Sequence, residues 1–169
     1  MINTITDSFP SPNFPKHLGK PDYVSIQDTH VQLATNAAVI KSTHNGGHNG
    51  HLILVLTARQ YTLISQVPFF QPAEPGRTST IPEWTTPFNK KTLIHEHTDQ
   101  HQQYDECCNV NSALHNQPLT SFENTHVLPL KKAFTGYSGA NTLSLLIHLY
   151  SNYKRISATD LNDNNKKLR

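Results

Sequence analysis

Leu143, Leu146, Ile147, Tyr150 and Tyr153 recur at i, i+3, i+4, i+7 and i+10. That period places all five on one side of an α-helix and alternates faces in any strand. Leu145 and Leu149 widen the apolar stripe to a face that must be buried. A second stripe lies near the start: Tyr23, Ile26, His30, Leu33, Ala37 and Ile40 follow a 3-4-3-4-3 spacing behind Asp22, a residue suited to an N-cap. Two strong helical periods and no sustained alternation predict an all-α fold.

The rest of the chain is read around these two helices. Residues 1–20 hold Pro10, Pro12 and Pro15 among Ser, Asn and Thr with no apolar period, which predicts a flexible, disordered leader. His44 to Gly50 supplies three glycines among polar residues, a turn that ends the first helix by adopting positive φ. Leu52 to Leu56 is too short to type by period. Thr57 caps a short helix running to Ile64, and Pro68 stops it. Residues 67–87 hold five of the eleven prolines and form an extended connector. Thr86-Pro87 then has the N-cap and first-turn pattern of a long polar helix through Ile94, His101, Tyr104, Cys107, Val110 and Leu114. Pro118 and Pro129 break the segment between them, because an interior proline costs roughly 3 kcal/mol. Ser157 to Asp160 starts a last helix. The expectation is one helical domain of about four to six helices over residues 21–169.

At 169 residues the chain is long enough for one buried core and short for two. Its last 19 residues contain five of the fourteen basic side chains and two of the twelve acidic ones, so the body is near neutral and only the end is basic. Lys154, Arg155, Lys166, Lys167 and Arg169 are thus the candidates for weak, non-specific contact with a polyanion such as RNA. Cys107 and Cys108 are adjacent and make no disulfide framework, which fits a reducing, intracellular compartment. No signal segment is seen and no apolar run approaches the ~18–20 residues of a membrane span; a cytoplasmic protein with no membrane partner is expected.

Eleven histidines raise the question of metal. His44, His48 and His51 form H-x3-H-x2-H, and His97 and His101 share a face at i and i+4, but Thr98 stands where the zinc motif H-E-x-x-H has its glutamate. Neither set has a known zinc spacing, so no metal ligands are assigned. Gly47-His48-Asn49-Gly50 matches the G-x-x-G clamp of KH domains without its strands, and the loop lacks the Lys-Ser/Thr ending of a phosphate-binding loop. No nucleophile, acid/base pair or cofactor signature is present. Glu96, Asp99, Asp105 and Glu106 read as a solvated helix face. A non-enzymatic protein without catalytic residues or cofactors is expected.

Several segments, in order, resemble the Gag-like capsid region of Copia-type retrotransposons. They are Asn36-Ala37-Ala38 to Ser42, Gly50-His51-Leu52, Tyr61, Pro68-Phe69, Pro75-Gly76 to Ile81-Pro82, Tyr104 to Leu114, Thr135-Gly136-Tyr137, and the leucine-rich run from Leu143 to Asp160. The resemblance implies an all-helical structural protein that self-associates in cytoplasmic virus-like particles around RNA. It also tips Leu52–Leu56 to helix. The chain lacks a second capsid half, a C-x2-C-x4-H-x4-C knuckle and an Asp-Thr/Ser-Gly protease triplet, so a truncated copy is expected. The surplus of apolar residues on the last leucine helix makes Leu149, Tyr150 and Tyr153 the candidates for self-association into a weak homo-oligomer. The alternatives are a His-rich metal-binding protein and a cellular interaction module domesticated from Gag.

Overall fold

The computed structural model describes residues 2–42, 49–66, 68, 70–76 and 83–153. Six α-helices occur among them: α1 (Ile2–Asp7), α2 (Tyr23–Val39), α3 (Ala58–Thr62), α4 (Pro87–Ser121), α5 (Asn124–Val127) and α6 (Thr142–Tyr153), with 3-10 turns at Leu52–Leu54 and Leu128–Leu130. No strand occurs among the described residues, only isolated bridges pairing His17 with Phe122 and Lys132 with Gly136. The fold is all-α. No helix of the described residues is long and apolar enough to cross a membrane.

Local chemistry sets the helix starts where the sequence places them. The Ser25 backbone N–H donates to Asp22 Oδ1 at 2.7 Å, and the Asp22 N–H donates to Ser25 Oγ at 3.0 Å, a reciprocal capping box. That backbone donor is the main reason the Asp22 carboxyl is held below its ordinary pKa. Thr57 and Gln60 form the same box at α3, and Thr86 caps α4 through Asn89, with Pro87 in the first turn. Asn141 Oδ1 accepts the Ser144 N–H at 2.7 Å and so caps α6.

α2, α4 and α6 pack against one another, and α1 lies on α4. One cluster of buried residues gathers Leu33 and Ala37 of α2, Val110 and Leu114 of α4, Leu146 of α6, Val55 and Phe9. A second joins Ile26, Phe122, Val127, Leu145 and Leu149. Leu145, Leu146 and Leu149 of α6 are therefore divided between the two clusters, with Tyr150 and Tyr153 packed against the second. Thr142, fully buried, fixes the start of α6 on α4 by donating to Asn111 Oδ1 at 2.8 Å.

Two readings need correction. The segment expected to be a flexible leader is docked along the domain: Phe9 is 4% exposed, and Ile5 and Phe14 pack around the same cluster. The cause is a polar clasp that the sequence hides. Asn36, fully buried on α2, accepts the Ser11 N–H at 2.9 Å and donates to Ser11 O at 2.8 Å and to Gln117 Oε1 at 3.0 Å. Gln117 donates to Ser11 O at 2.9 Å and Pro12 O at 3.1 Å, and Ser121 Oγ to Pro15 O at 2.6 Å. Backbone groups of a proline-rich strip thus find partners on α2 and α4 instead of water. Second, Leu52–Leu54 is a 3-10 turn and not an α-helix. The segment between Pro118 and Pro129 is broken as expected: Pro118 is buried in the last turn of α4, which Phe122 closes by donating to Pro118 O at 3.0 Å, and only the short α5 and the Leu128–Leu130 turn follow. The last helix expected from Ser157 and the glycines Gly46 and Gly47 lie outside the described residues.

Candidate functional site

The glycine loop re-enters the described structure at Asn49 and makes a helix terminus. Gly50 has φ +51°, and a Cβ there would stand 2.7 Å from the carbonyl oxygens of Ala37 and Ile40 and closer still to that of Ala38. Only glycine fits over the open C-terminus of α2. His51 then donates its backbone N–H to Ala37 O at 2.8 Å and places Nδ1 2.9 Å from Ile40 O, satisfying two carbonyls that the helix leaves unpaired. Its Nε2 lies 3.2 Å from Glu106 Oε1 on α4, and the ring is 4% exposed. From Gly50 onward the loop is a C-cap that binds α2 to α4. His44 and His48 lie outside the described residues.

Four further histidines show the same pattern. A ring nitrogen of His30 reaches Val55 O at 2.9 Å, one of His97 reaches Gly76 O at 2.9 Å, one of His126 reaches Gly19 O at 2.9 Å and one of His148 reaches His126 O at 3.0 Å. Each joins a helix to a carbonyl of another segment. Imidazole suits this task because it carries a donor on a short, flat, half-apolar body. Five of the nine described histidines are thus struts between a helix and another segment. His97 and His101 do share a face of α4, their rings 4.5 Å apart, but no group of three or more His, Cys, Asp or Glu that could hold a metal occurs among the described residues.

Burial governs the ionisable groups. His30 has a pKa lowered by desolvation, opposed by its contact with Val55 O, and His115 is lowered by desolvation. Desolvation pushes the buried Cys107 thiol up to about 11, away from the thiolate that a nucleophile needs. Tyr150 is pushed up to about 12 by the same cause. Cys107 and Cys108 are both free thiols.

The candidates for self-association are not presented together. Leu149 is fully buried in the second cluster, so its side chain is already used by the chain's own core. Tyr150 and Tyr153 are half-buried around that cluster, Tyr150 bonded to Gln27 Oε1 at 2.8 Å and Tyr153 3.4 Å from His126 Nδ1. Among the apolar residues of α6, only Ile147 is largely exposed. The five basic candidates, Lys154, Arg155, Lys166, Lys167 and Arg169, lie outside the described residues.

A run of exposed apolar residues lies instead at the start of α4. The helix has 35 residues, about 52 Å at 1.5 Å per residue, and its buried positions begin only at Cys107. Every residue from 86 to 96 is exposed, including Phe88 at 78%, Leu93 and Ile94, and Trp84 just before them is 86% exposed. This half of α4 is an arm. Ile94, expected on a long polar helix, lies on this arm, where the apolar stripe is thin and nothing in the described chain covers it.

No family model matches the chain. No solved structure matches it. Over 63 residues, 36% of its length, it is 32% identical to a protein described as a probable nicotinate-nucleotide adenylyltransferase from Marinomonas sp. (strain MWYL1), and the chain spans only 28% of that relative. A likeness of that extent does not carry the relative's activity to this chain.

Proposed function

We propose that this protein is a non-enzymatic, Gag-like capsid protein of the Copia type that self-associates weakly in the cytoplasm, and that the arm of α4 is its contact surface. The observation that carries the reading is the run of exposed Trp84, just before α4, and Phe88, Leu93 and Ile94 on a helix half that stands clear of both core clusters. Large rings left in water are unfavourable unless another surface covers them, and an arm of this kind on each copy can pair with its twin about a two-fold axis. Burying even ~400 Å² of such surface would contribute about 10 kcal/mol gross at ~25 cal/mol per Å², and association costs of similar size leave a small net gain. Weak dimers or small oligomers are the expectation. The all-α fold and the order of segments that resemble the Gag capsid region support the same reading.

Sedimentation velocity over a range of concentrations, without nucleic acid, tests it. The expected result is a sedimentation coefficient that rises with concentration and ceases to do so in Phe88→Ser/Ile94→Ser, two exposed positions whose replacement leaves the circular dichroism unchanged. A strict monomer at high micromolar concentration would overturn the proposal.

A further inference from the structure

The chain between the Leu128–Leu130 turn and α6 reads Lys131-Lys132-Ala133-Phe134-Thr135-Gly136-Tyr137, two cations and two aromatic rings within seven residues. Lys132 and Gly136 exchange backbone hydrogen bonds at 2.8 and 3.0 Å, closing a tight turn in which Gly136 has φ +58°. Phe134 stands at its apex with its side chain wholly in solvent, and both lysines are exposed. The Lys132 side chain lies back along the loop, its Nζ 3.0 Å from where a Cβ on Gly139 would be.

Beside this turn is a cleft of about 350 Å³, within the size range of small-ligand sites. Tyr137 and Ser138 form one wall; Ser112, His115, Asn116 and Leu119 of α4 form the other, and no carboxylate lines it. His115 is 8% exposed, and its Nε2 has no hydrogen-bond partner. Burial lowers its pKa and favours the neutral ring, which offers one donor and one acceptor. A buried polar nitrogen without a partner is an unfavourable arrangement, and its residue lines the cleft.

We propose that this cleft and the adjoining turn bind single-stranded nucleic acid. One base enters between Tyr137 and the His115 edge of α4, another stacks on Phe134, and Lys131 and Lys132 meet the phosphates. The parts match that ligand class together. Every base has an aromatic face for Tyr137 or Phe134 and a hydrogen-bonding edge for Ser112, His115 and Asn116, and every nucleotide brings an anion to the lysines. A duplex keeps its bases stacked on one another and cannot offer those faces. This surface includes none of the basic residues after Tyr153.

Fluorescence anisotropy with a short labelled oligouridylate, the matching oligothymidylate and a duplex of equal length tests the proposal on the full chain. Either single strand should bind in preference to the duplex. Phe134→Ala should weaken binding about ten-fold or more, the effect expected for removing one stacked base. Lys131→Gln/Lys132→Gln should flatten the dependence of log affinity on log salt by about 1.4, from ~0.7 per phosphate contact on a single strand. All three positions are exposed, so circular dichroism should not change. Uridine monophosphate should also move the His115 ring nitrogen signals in NMR spectra. No binding at low salt, equal binding of the duplex, or wild-type affinity in both variants would overturn the site. None of these outcomes bears on self-association, which is measured without nucleic acid.

Discussion

Asn36-Ala37-Ala38 and Gly50-His51, read in the sequence as markers of resemblance, have a physical reason to be what they are. Asn36 is a fully buried amide whose groups are matched to Ser11 and Gln117, and Ala37 is fully buried beneath the returning loop. Gly50 closes over three carbonyls of α2. Replacing it with alanine both forces a side chain into the left-handed region and drives a Cβ into backbone oxygen that cannot give way. Gly50→Ala should therefore cost well over the ~1–2 kcal/mol of an ordinary left-handed alanine. Gly19→Ala is the control: φ is +81° there but nothing lies within 4 Å of a Cβ, so only the conformational cost applies. Urea denaturation of the two variants should separate them clearly, and equal losses would show that the packing over α2 is not what Gly50 serves.

Helices with a strong apolar period and a capping residue were legible. α2 and α6 carry their stripes, and Asp22, Thr57 and Thr86 cap as their residue types predict. The docked first segment was not legible, because it is held by backbone hydrogen bonds to Asn36, Gln117 and Ser121 and by three apolar residues without a period. Its test is direct. Phe9→Ala removes a ring that is 4% exposed between α1 and α4, and should destabilise the protein by roughly 3–5 kcal/mol. A loss below ~1 kcal/mol in chemical denaturation would mean that the segment rests on the domain without supporting it. Leu149, one of the self-association candidates, lies inside the chain's own core for a related reason. Apolar density on α6 signals burial, but sequence alone does not say whether a partner or the chain's own α2 and α4 provides it. The thin stripe of α4 was harder still, since a half-buried helix and a half-free one differ only in what folds back on them.

The whole molecule depends on neutral, buried groups, and its stability should follow pH accordingly. His30 and His115 have folded-state pKa values below 6.5 because burial disfavours their charged forms. As pH falls through 6.5 the unfolded chain takes up these protons first, so the stabilisation is complete above that value and is lost on acidification. Asp22, held below 3.8 by its Ser25 donors, adds to the loss further down. Cys107 rises from 9.0 to about 11 and Tyr150 from 10.0 to about 12, so the unfolded chain ionises first on the alkaline side and stability falls above pH 9. Tm against pH should show a plateau between about 6.5 and 9 with a decline on each side. A curve that stays flat to pH 5 would contradict the neutral state of the two histidines. The clasp between Ser11 and Gln117 joins residues 106 apart, and this separation bears on how the protein is made. At the ~5–20 residues per second of synthesis, the first segment leaves the ribosome roughly 5–20 s before its partners on α4 exist. During that interval Phe9 and Phe14 have no site to enter, and the nascent chain must be shielded by other means until α4 emerges to receive them.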